Sequence, residues 1–247
     1  HTLFWPVMLS VADYSPPKHV HVHGFLTVNG EKMSKSRGTF ILARDYARHL
    51  DPDILRYYYA AKLSSSMDDI DFNVEDFVTK VNSDVLGKFI NIASRIGAIV
   101  TKKCDGLLTT IDDDGLDMIH QMLSYSDEIS SLYEDLETNK CMRLIMQCAD
   151  IANKYIDDKA PWALVKVDAI AAQRCCTAAL NALRILMIYL GPVMPTITKQ
   201  LADFLSIHPQ SWSQLHDHLI NSKIQPYQHI LKRLVLEDVN AYFFTPS

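Results

Sequence analysis

The sequence predicts a mainly α-helical chain: a short mixed α/β segment over residues 1–70, an α-helix bundle over 71–234, and a last helix and tail over 235–247. Three observations carry this. From Val74 onward apolar residues recur close to the 3.6-residue helical period. The periodic stretches are long and separated by short breaks, as in a bundle. The first seventy residues instead hold a β-rich run that ends on Asn29-Gly30, a tight-turn dipeptide.

Composition sets the frame. At 247 residues the chain can bury a real core in one or two domains, and a hydrophobic fraction of 48% with 21% charged residues is ordinary for a globular protein. No apolar run is long enough to span a bilayer, and the polar start His1-Thr2 is unlike a signal peptide, so no membrane association is expected. The five cysteines, Cys104, Cys141, Cys148, Cys175 and Cys176, are odd in number and lack C-x-x-C spacing. That argues against a disulfide framework or zinc site and for a reducing, cytoplasmic setting. A net charge of −5 excludes a protein that coats nucleic acid with its whole surface. The charge is uneven: +3 over 31–62, −11 over 63–137 and +3 over 138–247. A nucleic-acid partner would therefore meet local basic patches.

Residues 1–10, dense in apolar and aromatic groups, suggest a helical or buried segment that Ser15-Pro16-Pro17 breaks. Residues 19–28 read as a strand, followed by a hairpin at Asn29-Gly30. Helices are expected over 43–50 and from 52 to about 62, where Asp51 can cap and Pro52 suits the first helical position. Asn73 is a plausible N-cap for one long amphipathic helix to about residue 103. On it Asp84, Lys88, Asn91 and Arg95 fall on one face, opposite the apolar stripe. Further helices follow over 116–136, 140–158, 169–190 and 195–205, with 206–234 irregular and 235–243 helical again. Asp112-Asp113-Asp114 fits helix-start capping.

The stretch with the most chemistry is Lys32-Met33-Ser34-Lys35-Ser36. Two lysines three residues apart, among hydroxyl side chains, can bring compact positive charge to a polyphosphate. A generic K-x-x-K is most often a solvated loop, but here the whole pentapeptide follows a predicted hairpin and is preceded by His23-Gly24. It is similar to the signature loop of class I aminoacyl-tRNA synthetases. The longer stretch from His23 to Thr39 resembles the methionine branch of that family. So do Asp53-Ile54-Leu55-Arg56-Tyr57-Tyr58, Asp69-Ile70-Asp71-Phe72-Asn73, Asn91-Ile92-Ala93-Ser94-Arg95 and Lys159-Ala160-Pro161-Trp162. The likeness covers nearly the whole chain and weakens over 105–137 and 205–247.

The resemblance implies that residues 1–70 are the end of a Rossmann-type catalytic domain and that 71–234 form a helical anticodon-binding domain. It implies ATP-dependent activation of methionine and transfer to tRNA(Met), with Mg accompanying ATP. Lys32 and Lys35 would stabilise charge as pyrophosphate leaves. His23, Gly24, Met33, Ser34 and Ser36 would join them around ATP, and His1, Phe4 and Trp5 would line the methionine pocket. Asn91, Arg95, Pro161 and Trp162 would read the anticodon. The family's opening nucleotide-binding half and its zinc-binding insert lie upstream of what is seen here. A search for H-x-G-H finds only His21-Val22-His23-Gly24, in the wrong order. The chain is thus expected to be the C-terminal part of a larger enzyme, inactive alone and monomeric, with an open strand edge at 19–28 where parallel neighbours are missing.

Plainer readings stand beside these. Phe4 and Trp5 could be core packing, Asn91 and Arg95 a solvated helix face, and Trp162 a loop anchor. His19, His21 and His23 share a strand face, but no carboxylate or cysteine stands at ligand spacing, so no metal site is expected. A non-catalytic anticodon-binding module is the main alternative. A class I synthetase for leucine, isoleucine, valine or cysteine is disfavoured by Gly38-Thr39 and Lys159-Ala160-Pro161-Trp162.

Overall fold

A computed structural model of the chain describes residues 1–34 and 40–244. Twelve α-helices, among the described residues, accompany a small three-stranded sheet near the N-terminal end. Helix α1 (Phe4–Val11) forms where the sequence places it, but none of its residues is buried, so the alternative of a buried opening segment does not hold. The expected strand over 19–28 shrinks to β1 (Leu26–Val28). It turns through Asn29 and Gly30, both at positive φ, into β2 (Glu31–Lys32). This is the geometry a two-residue hairpin requires, and it is why Asn-Gly is the dipeptide found there.

The missing-neighbour expectation is corrected by β3 (Ile70–Phe72), which runs parallel to β1 and completes a mixed sheet in the order β2-β1-β3. Sequence reading took Asp69-Ile70-Asp71-Phe72-Asn73 only as the start of the helical region. Its short alternation of buried Ile70 and Phe72 around Asp71 is a strand signal in miniature. Two carboxylates fasten this strand to the hairpin. Asp69 accepts the Phe25 N–H at 2.7 Å. Asp71 accepts the Thr27 hydroxyl at 2.7 Å and the Gly30 N–H at 2.8 Å. At Gly24 a Cβ would stand 2.5 Å from both the Asp68 carbonyl oxygen and an Asp69 carboxylate oxygen, so only glycine lets the two chains approach.

Helices α2 (Ala43–His49) and α3 (Pro52–Ala60) follow, the second capped by Asp51 with Pro52 in its first turn, as expected. The long helix from 74 to 103 is continuous, but its middle is wound differently. Helices α4 (Val74–Lys80) and α5 (Asn91–Lys103) are joined by a π-helical segment, Val81–Ile90. A π-helix bonds i to i+5, so faces read off with the α-helical period drift along this segment. Asp84 is therefore not on the exposed face with Lys88 and Arg95. It is buried, accepts the Tyr57 hydroxyl at 2.8 Å and pairs with Lys80 at 2.9 Å. Burial, then the Asp84 charge and hydrogen bond, push the Tyr57 hydroxyl well above its usual range and keep it a donor.

The expected 116–136 helix is two: α6 (Asp113–Leu123), capped by Asp112, and α7 (Ser126–Glu134), broken at Ser124-Tyr125. Helix α8 (Thr138–Lys159) ends at Ala160 in the left-handed conformation, and α9 (Pro161–Leu164) begins at once. Helix α10 (Ala169–Leu190) lies at the centre and touches α5, α6, α8, α9 and α11 (Pro195–Leu205). From Cys175 to Leu190 every residue is buried, the pattern of a helix apolar all round. Its three buried polar groups hold flanking segments. Thr177 accepts the Thr109 N–H at 3.1 Å. Asn181 exchanges two hydrogen bonds with the Leu219 backbone. The Arg184 guanidinium donates to the carbonyls of Gln214, Leu215 and Asp217. The irregular 206–234 stretch is thereby fixed apart from one turn of 3-10 helix at Trp212–Gln214, and α12 (Leu236–Phe244) closes the chain against α4 and α2.

Helix α3 joins the sheet region to the bundle. Asp53, 2% exposed, accepts the Ile197 N–H at the start of α11 at 2.8 Å. Arg56 donates to the carbonyls of Val193 and Pro192 at 2.7 and 2.9 Å. Burial raises the Asp53 pKa, the backbone bond from Ile197 opposing it. The folded state thus holds this proton more tightly than the unfolded state. The Asp53 contribution to stability is full below the ordinary carboxylate pKa and declines as pH rises through the raised value.

Three outcomes follow. Asp53→Ala should lower the unfolding free energy by about 1–3 kcal/mol in urea titrations, the cost of a buried N–H left without its acceptor. Asp53→Asn should flatten the pH dependence of the urea midpoint above the ordinary carboxylate range; an unaltered profile would contradict the assignment. Gly24→Ala should shift the melting temperature down and speed hydrogen exchange at the amides of Thr27 and Gly30, with exchange in α10 unaffected.

Candidate functional site

The residues singled out by sequence fall into two groups. The first is carried by the sheet. Lys32 ends β2 and is exposed, while Met33 is half-buried against the core and Ser34 is half-buried beside it. Lys35 and Ser36 lie outside the described residues. His23 and Gly24 sit just before β1, the His23 ring nitrogen Nδ1 2.8 Å from the Gly24 carbonyl. The hairpin that presents Lys32 is held by Asp71 and by helix α4: Asn29 donates its N–H to Phe72 and accepts the Val74 N–H at 3.2 Å with its side chain. Local sequence dictates the turn, and β3 and α4 give it a fixed direction. His1, Phe4 and Trp5 belong to α1 and the residues before it. Phe4 and Trp5 are 78% and 53% exposed, so the structure does not pack them as core.

The second group lies further along the same continuous helix, beyond the π-helical segment. Asn91 opens α5 half-buried, and Arg95 stands one turn later. Lys159-Ala160-Pro161-Trp162 reaches the same place from α8. Ala160 at φ 42° turns the chain sharply and buried Pro161 starts α9, leaving Trp162 41% exposed. The Arg95 guanidinium lies over the Trp162 ring, 4.7 Å from its centroid, and also pairs with Asp157 at 2.7 Å. Two distant sequence segments thus meet in one cation–π pair. The expectation of a simple exposed Asn–Arg face needs correcting: Arg95 is anchored on both sides and holds the indole. Lys88 pairs with Asp150 at 2.7 Å, and Asn153 donates to the Lys88 carbonyl, tying α8 to the π-helical segment.

Chemically, the first group offers ammonium and hydroxyl donors suited to phosphate oxygens, while Asp69 and Asp71 are engaged in bracing the backbone. The second offers an aromatic face and polar groups, the combination that binds unpaired bases. Sequence reading did not find Asp71, the brace of the hairpin, or Asp157, the partner of Arg95. Asp157 lies only four residues before Pro161, but nothing in its spacing marks it. No group of three or more His, Cys, Asp or Glu side chains placed to hold a metal occurs among the described residues, and no described helix is long and apolar enough to cross a membrane.

Residues 1–97 match the family described as tRNA synthetases class I (M), and residues 109–230 match the anticodon binding domain of methionyl tRNA ligase. Two curated relatives are named methionine–tRNA ligase. That of Psychrobacter cryohalolentis is 47% identical over 243 residues, and that of Psychrobacter sp. (strain PRwf-1) is 45% identical. In each case the match covers 98% of this chain and 35% of the relative, so the chain spans about a third of their length. Among solved structures, the methionyl-tRNA synthetase of Mycobacterium tuberculosis in complex with methionyl-adenylate shares the fold. Its TM-score is 0.81 at 24% identity, over 93% of this chain and 47% of that one. By its two matched family regions, its fold and its relatives, the chain belongs to the methionyl-tRNA synthetase family of class I tRNA synthetases.

Proposed function

We propose that this chain is the C-terminal portion of a methionine–tRNA ligase and supplies its lysine loop and its anticodon reader. The observation that carries the reading is the Arg95–Trp162 pair, because it joins the two segments that the family resemblance assigns to the anticodon. Residues 1–70 complete a catalytic domain, 71–234 bind the anticodon of tRNA(Met), and 235–247 form a closing helix and tail. Asn91, Arg95, Pro161 and Trp162 contact the anticodon: Pro161 fixes the loop, Arg95 orients the indole, and Trp162 stacks on an unpaired base.

In the reaction the methionine carboxylate attacks the α-phosphorus of ATP, a new P–O bond forms, and the bond to pyrophosphate breaks. Charge then accumulates on the departing oxygens. Lys32 and Lys35 meet it, with His23, Gly24, Met33, Ser34 and Ser36 lining the nucleotide. Placed positive charge of this kind is usually the largest catalytic term. Mg accompanies ATP; the donors offered here are cationic and hydroxylic and fit the triphosphate itself. Any zinc belongs to the other part of the protein. His1, Phe4 and Trp5 line the methionine side, where exposed aromatic rings suit a thioether. This chain is monomeric, the enzyme it belongs to is cytoplasmic, and the 247-residue chain alone does not form methionyl-adenylate. Its third share of the relatives' length supports this.

The second reading, a binding module without catalysis, draws on the same Arg95–Trp162 pair and differs only in what the lysine loop does. Lys35→Ala in the full-length enzyme separates them. It should lower ATP–pyrophosphate exchange by 100-fold or more, about 3 kcal/mol of transition-state stabilisation, with tRNA affinity held within twofold; equal loss of both would reject the catalytic role. Trp162→Ala should erase the preference for the methionine anticodon in filter binding of stem-loop RNAs while the circular dichroism melt stays unchanged. Full retention of that preference would reject the anticodon assignment.

A further inference from the structure

Where α10 turns into α11, a cavity of about 460 Å³ opens between the corner and residues 209–212. No sequence motif pointed to it, and no residue of either candidate group lines it. Met187 and Ile188, from the last turn of α10, belong to its lining. So do Pro192, Pro195 and Pro209, three of the chain's ten prolines, and Trp212. A proline carries no backbone N–H, so these walls expose few donors that would need water.

The walls are fixed from behind. The Trp212 ring packs 5.3 Å from the ring of Tyr189, which is fully buried and donates to the Met122 carbonyl at 3.3 Å. Ser211 and Gln214 cap the 3-10 turn that Trp212 opens. Buried Arg184 fastens that turn to α10 through the carbonyls of Gln214 and Leu215, at 2.7 and 2.9 Å. The Thr198 hydroxyl, also in the lining, is committed to the Met194 carbonyl at 2.9 Å. The cavity is thus pre-formed, and its volume falls in the range of small-molecule sites, roughly 300–1,000 Å³.

Its charge is one-sided. Lys199 is among the lining residues, and no carboxylate is. The lysine is exposed and, among the described residues, in no ion pair. Rigid walls of proline and indole with one ammonium group match a small molecule that has a flat apolar body and a single negative charge. A fused ring fills such a space without losing rotamers, whereas a flexible acyl chain would have to be ordered. A polyphosphate would find one cation only, and a neutral ring would leave Lys199 unused.

We infer that the α10–α11 corner binds a small planar aromatic carboxylate. Its ring lies against Trp212 and the prolines, and its carboxylate meets the Lys199 ammonium. Apolar contact supplies most of the affinity, and the lysine selects the charged form. This site is independent of the lysine loop and of the anticodon reading.

The test is equilibrium dialysis of the full-length enzyme against 1-naphthoate and its neutral counterpart 1-naphthamide. Naphthoate should bind one molecule per chain with a dissociation constant of about 1 mM or tighter, as expected for a ligand of this size. Naphthamide should bind about threefold more weakly, the worth of one exposed ion pair. Lys199→Gln, a surface change that leaves the fold intact, should remove this difference. Trp212→Phe, which keeps a ring against Tyr189, should weaken both ligands by about threefold or more. Saturating methionine and ATP should leave naphthoate binding unchanged, as should Trp162→Ala. No binding at about 10 mM naphthoate overturns the site. So does equal binding of the two ligands by the parent enzyme, or unchanged affinity in Lys199→Gln or in Trp212→Phe. Competition by methionine and ATP, or loss of binding in Trp162→Ala, puts the naphthoate elsewhere and also overturns it.

Discussion

The burial of α10 on all sides is the constraint from which the rest of the architecture follows. From Cys175 to Leu190 this helix has no solvent face, so Thr177, Asn181 and Arg184 each take backbone partners, with the Arg184 Nε left without one. They find them in the segments before α6 and after α11, and those irregular segments are held without secondary structure of their own. Helices α5 and α8, which present Arg95 and lead into Trp162, pack directly on this central helix. The precision of the Arg95–Trp162 contact thus derives from a core several residues away, as expected of a recognition site set on rigid elements.

The lysine hairpin depends on a different kind of support. Its sheet has three short strands, too small to be stable alone. It is held because Asp69 and Asp71 bond the hairpin backbone, Asn29 reaches the first turn of α4, and α3 is pinned to the α10–α11 corner by Asp53 and Arg56. The two candidate groups therefore share one continuous framework although they act on opposite ends of a long substrate in the proposed function.

Much of this was readable from residue order. The Asn29-Gly30 turn and the Asp51, Asn73 and Asp112 caps are local signals, and each appears where its local rule puts it. What escaped is non-local. Strand β3 is three residues long and owes its existence to pairing with β1. The π-helical segment obeys the same apolar pattern as an α-helix, and only the burial of Asp84 against Tyr57 reveals the different winding. Within the candidate site, Trp162 and Arg95 were legible as motifs, whereas the anchoring of Arg95 through Asp157 depends on how α5, α8 and α9 converge.

The pairing of β1 with β3 has a kinetic side. The hydrogen bonds from Phe25 to Asp69 and from Thr27 to Asp71 each close a loop of 44 residues, whereas Arg56 reaches Val193 across 137 and Asn82 reaches Leu234 across 152. Loop closure costs chain entropy that grows slowly with length, so the sheet is the less costly closure. A nascent chain holds all three strands, β1 to β3, once Phe72 is made, long before Trp162 can meet Arg95. The hairpin bearing Lys32 thus has its β3 fastenings available before the bundle is complete.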